Sequence, residues 1–403
     1  MSTASVDCFA PEKVAEVSCA TSSPSRSWFP YVAALVVLVS RISTSGQPYF
    51  ADGPSHIDAI KEHIYAIQPP GYWLFTRLAS LFADPAMGIH YINWTASALG
   101  VFVFYFVAKR MIRPVMAELA TVVYGSLYIA WFAGNIHSTY ATELFFPVLM
   151  VFFILRNREN QNAGDLVGVS LAFALAAGFR PSDGFFLSPL FLFFLVKYVP
   201  SWKRRALTVA LVFGMCLAWF VPNQMAMREA AARNSAPHSD TNLTQLRSVA
   251  PITSGSVRLF IANEIRVVLP LALSFWPLIP WLFRRDEFRE SRILVWLWML
   301  PGLSFFLLVY MSDASYLCYL LGGVVLSACI GTVTRKKVCA VLLCVAFNIG
   351  FYMWVKPVPI TSAVTAVFDI YGAKYTRWGV KNQYFKTLRD VYPIGRLTQG
   401  IAN

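Results

Sequence analysis

Charge is what this sequence has least of. Only 14% of its 403 residues are Asp, Glu, Lys or Arg, and 57% are hydrophobic, where a soluble domain carries roughly 25% charged residues. Such a balance cannot make a water-compatible surface, which excludes a soluble enzyme or a free-standing binding module. Cysteine is absent from every predicted outer loop. Cys8, Cys19, Cys216, Cys318, Cys329, Cys339 and Cys344 all fall in the N-terminal tail or in apolar runs, so no disulfide framework is read. The first 27 residues include Asp7, Glu12 and Glu16 and lack a basic start leading directly into an apolar core. They read as a tail, not a cleaved signal peptide. No fixed-period repeat, low-complexity stretch or composition break marks a separate folded domain.

What is present is a succession of apolar runs, measured against the roughly 20 residues a spanning helix needs. They predict an all-α polytopic membrane protein of about eleven transmembrane helices, near 28–42, 88–108, 115–134, 139–155, 165–179, 182–196, 206–221, 264–283, 293–311, 315–333 and 338–355. The formal net charge of +13 could point to nucleic acid in a soluble protein. Here the basic residues cluster at the ends of the runs: Lys109, Arg110 and Arg113; Arg156 and Arg158; Lys197, Lys203, Arg204 and Arg205; Arg284, Arg285, Arg289 and Arg292; Arg335, Lys336 and Lys337. That alternation is a membrane-orientation signal, with anionic inner-leaflet lipid and not nucleic acid as the expected neighbour. It places a cytoplasmic tail at 1–27, the membrane domain at 28–356 and a short extracytoplasmic tail at 357–403. A bacterial inner membrane, with the working face outside, is the expected location.

Two predicted outer segments, 43–87 and 222–262, exceed what a connection needs. In the first, Ile57, Ile60, Ile64 and Ile67 recur at helical spacing and Ser55 with Asp58 resembles a capping box. The expectation is an amphipathic surface helix after the first span, stopped by Gln68-Pro69-Pro70-Gly71. Beyond it, Tyr72, Trp73 and Phe75 suit an interfacial position.

The candidate catalytic residues are Asp52, Asp58 and Glu143. A carboxylate at the mouth of the first span can act as a general base; the alternative is an ordinary solvated helix face. Glu143, at the head of the fourth span, either faces a polar cavity or is a helix-start carboxylate favoured by the dipole. The candidate substrate contacts are His56, Tyr72, His137 and Arg180. A guanidinium grips phosphate in a bidentate way, although Arg180 could equally pair with Asp183 or snorkel. His56, four residues after Asp52, makes a metal site conceivable, but no second tight ligand pair supports one. No cofactor is fixed, and a divalent metal ion stays an open alternative.

In order along the chain, Asp52, the Gln68-Pro69-Pro70-Gly71-Tyr72 turn, Glu143 and Gly178-Phe179-Arg180-Pro181-Ser182 resemble membrane glycosyltransferases of the GT-C class, nearest the protein O-mannosyltransferase and aminoarabinose transferase branch. The sequence has Asp-Gly where many members have Asp-Glu, and Gln68 where many have His, which leaves the catalytic acid open between Asp52 and Asp58. The resemblance implies transfer of a sugar from a polyprenyl-phosphate donor to a glycan, lipid or protein acceptor on the extracytoplasmic face, with inversion. Asp52 would be the base, Arg180 would stabilise the leaving phosphate, and Glu143 would position the acceptor or a divalent ion. The competing readings are a lipid or solute transporter or flippase, whose ionisable residues sit near the midplane in repeated halves, and a non-catalytic subunit of an envelope polysaccharide complex.

Overall fold

A computed structural model describes residues 27–46, 52–63, 71–232, 257–282, 289–309, 313–359 and 362–382. All regular structure among the described residues is helical. In chain order the α-helices are α1 Phe29–Thr44, α2 Asp52–Lys61, α3 Trp73–Ala79, α4 Pro85–Met111, α5 Pro114–Ser126, α6 Tyr128–Asn135, α7 Phe146–Asn160, α8 Ala163–Phe179, α9 Pro181–Tyr198, α10 Trp202–Ala232, α11 Val257–Phe275, α12 Ile279–Leu282, α13 Arg289–Leu308, α14 Cys318–Cys329, α15 Arg335–Trp354, α16 Ala363–Tyr371 and α17 Arg377–Lys381. Three 3-10 turns matter below: Thr139–Leu144, Ala314–Leu317 and Ala373–Tyr375.

A helix lies at each predicted apolar run. Among the described residues six helical segments are long and apolar enough to cross a membrane: Pro85–Met111, Thr139–Asn160, Trp202–Glu229, Phe260–Leu282, Glu290–Leu308 and Arg335–Trp354. The bent pair α5 and α6 makes a seventh, and α1, α8 and Ala314–Cys329 are shorter apolar helices. Around the outside of the bundle, Leu35, Val36, Val39, Phe213, Leu342 and Leu343 are exposed, an apolar surface that only lipid can cover. The chain is a multi-pass integral membrane protein.

Helix starts follow local chemistry. Prolines stand in the first turns of α1, α4, α5, α7 and α9, where the missing N–H costs nothing. Asp84 caps α4 through the Ala86 N–H at 2.9 Å, and Asn162 caps α8 through the Gly164 N–H at 3.0 Å. Lys337, one of the predicted basic cluster, is buried instead of solvated. Its Nζ donates to the carbonyls of Cys329 and Ile330 at 3.1 and 2.8 Å, which closes the C-terminal end of α14.

The break between α5 and α6 bends the chain by 49°. A backbone donor freed inside a membrane bundle must find another acceptor. The Tyr128 N–H donates to Asn348 Oδ1 at 3.1 Å, and Asn348 Nδ2 donates to the carbonyls of Ser274 and Cys344, both at 2.8 Å. At the end of α6, Thr44 Oγ1 accepts from Trp131 Nε1 at 2.9 Å and Asn135 Nδ2 at 2.8 Å, and Asn135 also donates to the Tyr352 hydroxyl at 2.6 Å. This network ties α1, α6 and α15 at one end of the bundle.

Two local expectations change. Ser55 is exposed inside α2, which begins at Asp52, so the capping box is not formed. The helical face Gly53, His56, Ile57, Ala59 and Ile60 is buried as expected, whereas Ile64, Ile67 and the Gln68-Pro69-Pro70 stop lie outside the described residues. The segment 222–262 is partly helix: α10 runs through Pro222 because Met, Ala, Arg and Glu after it are strong helix formers, and α11 starts at Val257. In the described part of the segment after Lys356, α16, the turn Ala373–Tyr375 and α17 fold back on α15 and α6.

A candidate active site at one end of the bundle

Glu143 sits on the 3-10 turn Thr139–Leu144, whose position is fixed from below by α4. The Tyr124 hydroxyl donates to the Leu144 carbonyl at 2.6 Å, with its ring stacked on Phe104 at 4.3 Å. A Cβ on Gly100 would collide with the same carbonyl, so only glycine allows α4 to approach so closely. Asn93 then holds the preceding loop by donating to the carbonyls of Ile136 and Ser138 at 2.7 and 3.0 Å.

Arg180 lies between α8 and α9, turned inward. Its Nε is 2.8 Å from Glu143 Oε1 and 3.2 Å from Ser182 Oγ. The guanidinium carbon lies 4.4 Å from the ring centroids of both Tyr140 and Tyr316, an arrangement that favours the cation. Burial opposes the charge, but Glu143 and the phenols of Tyr140, Tyr72 and Tyr316 more than offset it, so the group is held firmly protonated. Glu143 Oε2 accepts the Tyr319 N–H at 3.1 Å, and the Asp183 carboxyl lies against Glu143. Arg180 is 4% exposed and Glu143 1%. Arg180 Nη1 nevertheless has no hydrogen-bond partner among the described residues. Breaking such a buried pair from one side costs about 3–5 kcal/mol.

Arg180 thus forms an internal ion pair, with Glu143 and not with Asp183, the partner named in its alternative reading. Tyr72 is brought beside Arg180 by α3, which packs on the end of α8 with Phe75 against Phe179. The turn before α3 is locked by α10: Asn223 Oδ1 accepts the Trp73 N–H at 3.2 Å, and Gly71, at φ +90°, leaves no room for a Cβ against that oxygen.

The histidines form a neighbouring group. His56 is wedged edge-on between Tyr72 and Phe75 at 5.6 and 5.5 Å, and burial pushes its pKa down to about 4. His137 meets the His90 ring at 4.1 Å. Burial, reinforced by His90 and His56, pushes His137 down to about 3, and neither of its ring nitrogens has a partner among the described residues. Both rings are neutral at physiological pH and able to hydrogen-bond a ligand. The first turn of α2 rests on this loop, with the Gly53 position against the His137 Cβ.

The structure thus brings together Glu143, Arg180 and Tyr72, with His56 and His137 next to them. Asp58 is not brought in: it lies on the exposed face of α2 while His56 lies on the buried one. Asp52 starts α2, and its side chain lies outside the described residues. Among the described residues no three His, Cys, Asp or Glu side chains are arranged to hold a metal ion. Sequence reasoning missed Tyr140, Tyr316, Asp183's place beside Glu143, and the Tyr319 N–H. The tyrosines carry no spacing signal, and a backbone donor carries none at all.

Comparison with known proteins adds three findings. Residues 68–225 match the family described as dolichyl-phosphate-mannose-protein mannosyltransferase; the segment contains Tyr72, His137, Glu143 and Arg180 and excludes Asp52, His56 and Asp58. No curated protein matches the chain. Among solved structures, ArnT from Cupriavidus metallidurans bound to undecaprenyl phosphate is similar with a TM-score of 0.52 at 15% identity, over 78% of this chain and 61% of that one. The oligosaccharyltransferase of Archaeoglobus fulgidus tethered to an acceptor peptide gives a TM-score of 0.47 at 10% identity, over 86% of this chain and 56% of that one. The chain spans about three fifths of the length of ArnT. Its helical membrane fold is similar to that of ArnT.

Proposed function

We propose that the chain is a membrane glycosyltransferase that takes a sugar from a polyprenyl-phosphate donor and passes it to an acceptor on the extracytoplasmic face. The observation that carries this reading is the free Nη1 of Arg180, a fully buried cation whose other edge is fixed by Glu143 and whose faces are covered by Tyr140 and Tyr316. A cation held this rigidly, in a place water reaches poorly, is suited to charge that appears on a leaving phosphate oxygen. The undecaprenyl phosphate bound to ArnT is a ligand of that chemistry.

A lipid-linked donor needs a place for its chain. An apolar hollow of about 350 Å³ lies between α11, α12, α13 and α14, lined by Leu271, Phe275, Met299, Leu303, Leu320 and Val324 among others. Leu320 is adjacent to Tyr319, whose N–H holds Glu143, so a chain lying there would end near the cation.

In the proposed step an acceptor hydroxyl or amine attacks the anomeric carbon, and the bond from that carbon to the phosphate oxygen breaks. The electron pair leaves with the phosphate, which Arg180 stabilises. The proton goes to a carboxylate, for which Asp52 is the candidate because it begins α2 and precedes Gly53, the position that abuts His137, and attack from the face opposite the phosphate inverts the centre. His56, His137 and Tyr72 supply neutral hydrogen-bonding groups for sugar or acceptor. The test is to supply purified protein in nanodiscs with undecaprenyl-phosphate sugars and acceptor extracts and to measure free undecaprenyl phosphate, with and without EDTA to decide whether a divalent ion takes part. Movement of labelled lipid between leaflets with no carrier phosphate released would replace this reading with a flippase.

A further inference from the structure

The C-terminal segment makes one contact that a tail lying on the surface would not make. Asp313, 3% exposed, precedes the 3-10 turn Ala314–Leu317. Its Oδ1 accepts from the Ser315 N–H at 3.0 Å and the Ser315 hydroxyl at 2.6 Å. Its Oδ2 accepts from Lys374 Nζ at 3.2 Å and the Tyr375 hydroxyl at 2.8 Å. The Tyr375 oxygen in turn accepts the Ala314 N–H at 3.2 Å. Lys374 and Tyr375 are 5% and 1% exposed, and the Tyr375 ring stands edge-on to Phe132 of α6 at 4.9 Å. A buried carboxylate with four donors is fully satisfied, and two of those donors come from about sixty positions further along the chain.

What this carboxylate anchors is the frame of the site. The turn it caps carries Tyr316, which covers Arg180, and leads through Cys318 to Tyr319, whose N–H holds Glu143. The turn is only four residues long, too short to hold its own geometry by helical hydrogen bonds alone. From this geometry we infer that the C-terminal segment is a strut of the active site: Lys374 and Tyr375 are positioning residues that set where Tyr316 and the Tyr319 N–H meet Arg180 and Glu143. Neither touches the reacting groups. Their effect on donor binding rests on the function proposed above; their effect on the turn does not.

The experiment separates the two. Full-length protein in nanodiscs is treated with a maleimide, and labelling at Cys318, Cys329 and Cys344 is followed by mass spectrometry, all three thiols being buried. Cys318 lies at the end of the strutted turn, while Cys329 and Cys344 report on the rest of the bundle. In Lys374→Met, Cys318 labels about tenfold faster with Cys329 and Cys344 unchanged, undecaprenyl phosphate binds about tenfold more weakly, and Lys374→Arg restores both, a range typical of positioning mutations. The double variant Asp313→Asn with Lys374→Met removes both charges together, so that no unpaired buried carboxylate clouds the result; it too opens Cys318 alone. Cys318 protected as in the parent chain overturns the strut, as does simultaneous opening of all three cysteines. If the parent chain does not bind undecaprenyl phosphate at all, the donor reading fails and the labelling still decides the strut.

Discussion

Glu143 and Arg180 hold each other across two helix junctions, with Oε1 and Nε 2.8 Å apart and both groups almost wholly out of contact with solvent. The pair is coupled in a way that a double-mutant cycle can measure. Glu143→Gln and Arg180→Gln, alone and combined, should show a coupling on the order of 1–3 kcal/mol in unfolding free energy. Additivity of the two would mean that the pair is not formed in the membrane. Arg180→Lys retains the charge but not the planar fork, and should weaken undecaprenyl phosphate binding about tenfold while folding persists.

The two acids of α2 are expected to behave differently. Asp52→Asn should lower carrier-phosphate release at least about 100-fold, the usual scale for losing a general base. Asp58→Asn should leave the rate near that of the parent chain, because Asp58 faces away from the buried side of the helix. A rate lost with Asp58→Asn and retained with Asp52→Asn would reverse the assignment.

Acid should destabilise the site from the histidine side. His56 titrates at about 4 in the folded chain against an ordinary value of 6.5, so below pH 6.5 the unfolded chain binds a proton that the folded one refuses. Stability is therefore full above about pH 6.5 and declines as pH falls toward 4, a loss on the order of 3 kcal/mol from this residue. His137, lowered to about 3, extends the decline to lower pH. Unfolding midpoints measured from pH 7 to pH 4 should fall in the parent chain and fall less steeply in His56→Phe, where His137 still contributes over the same window. An equal slope in that variant would place the titrating group elsewhere.

The kinked span offers a prediction independent of function. Asn348→Ala leaves the Tyr128 N–H without its acceptor inside the bundle, and an unsatisfied buried donor costs about 1–3 kcal/mol. The variant should unfold at lower temperature than Phe347→Ala corrected for lost apolar area. No difference would show that water or another group takes over.

Much of this architecture was legible from residue patterns, for reasons that differ by element. Spans are set by length and apolarity, which are local, so every predicted run carries a helix. The buried face of α2 was legible because Ile57 and Ile60 share the period of His56 and Gly53. Glu143 and Arg180 stood out as charges beside apolar runs, but which acid met Arg180 depends on how the turn Thr139–Leu144 is seated, and that is decided by Gly100 and Tyr124 in other helices. Tyr316 gave no warning at all, since an aromatic near a span end is commonplace. Lys374 and Tyr375 lie beyond the last apolar run with no spacing signal; only their pairing with Asp313, 61 and 62 positions away, sets them apart.

The Asp313 to Lys374 link also has a bearing on how the protein is made. Helices of a membrane chain enter the bilayer in order as they leave the ribosome, yet Lys374 and Tyr375 are made only after α15. The earlier spans can assemble first, but Tyr316 and the Tyr319 amide gain this anchor only once Lys374 and Tyr375 have emerged and docked. A polypeptide stalled short of Lys374 would be inserted in the bilayer with the Asp313 carboxylate lacking two of its four donors.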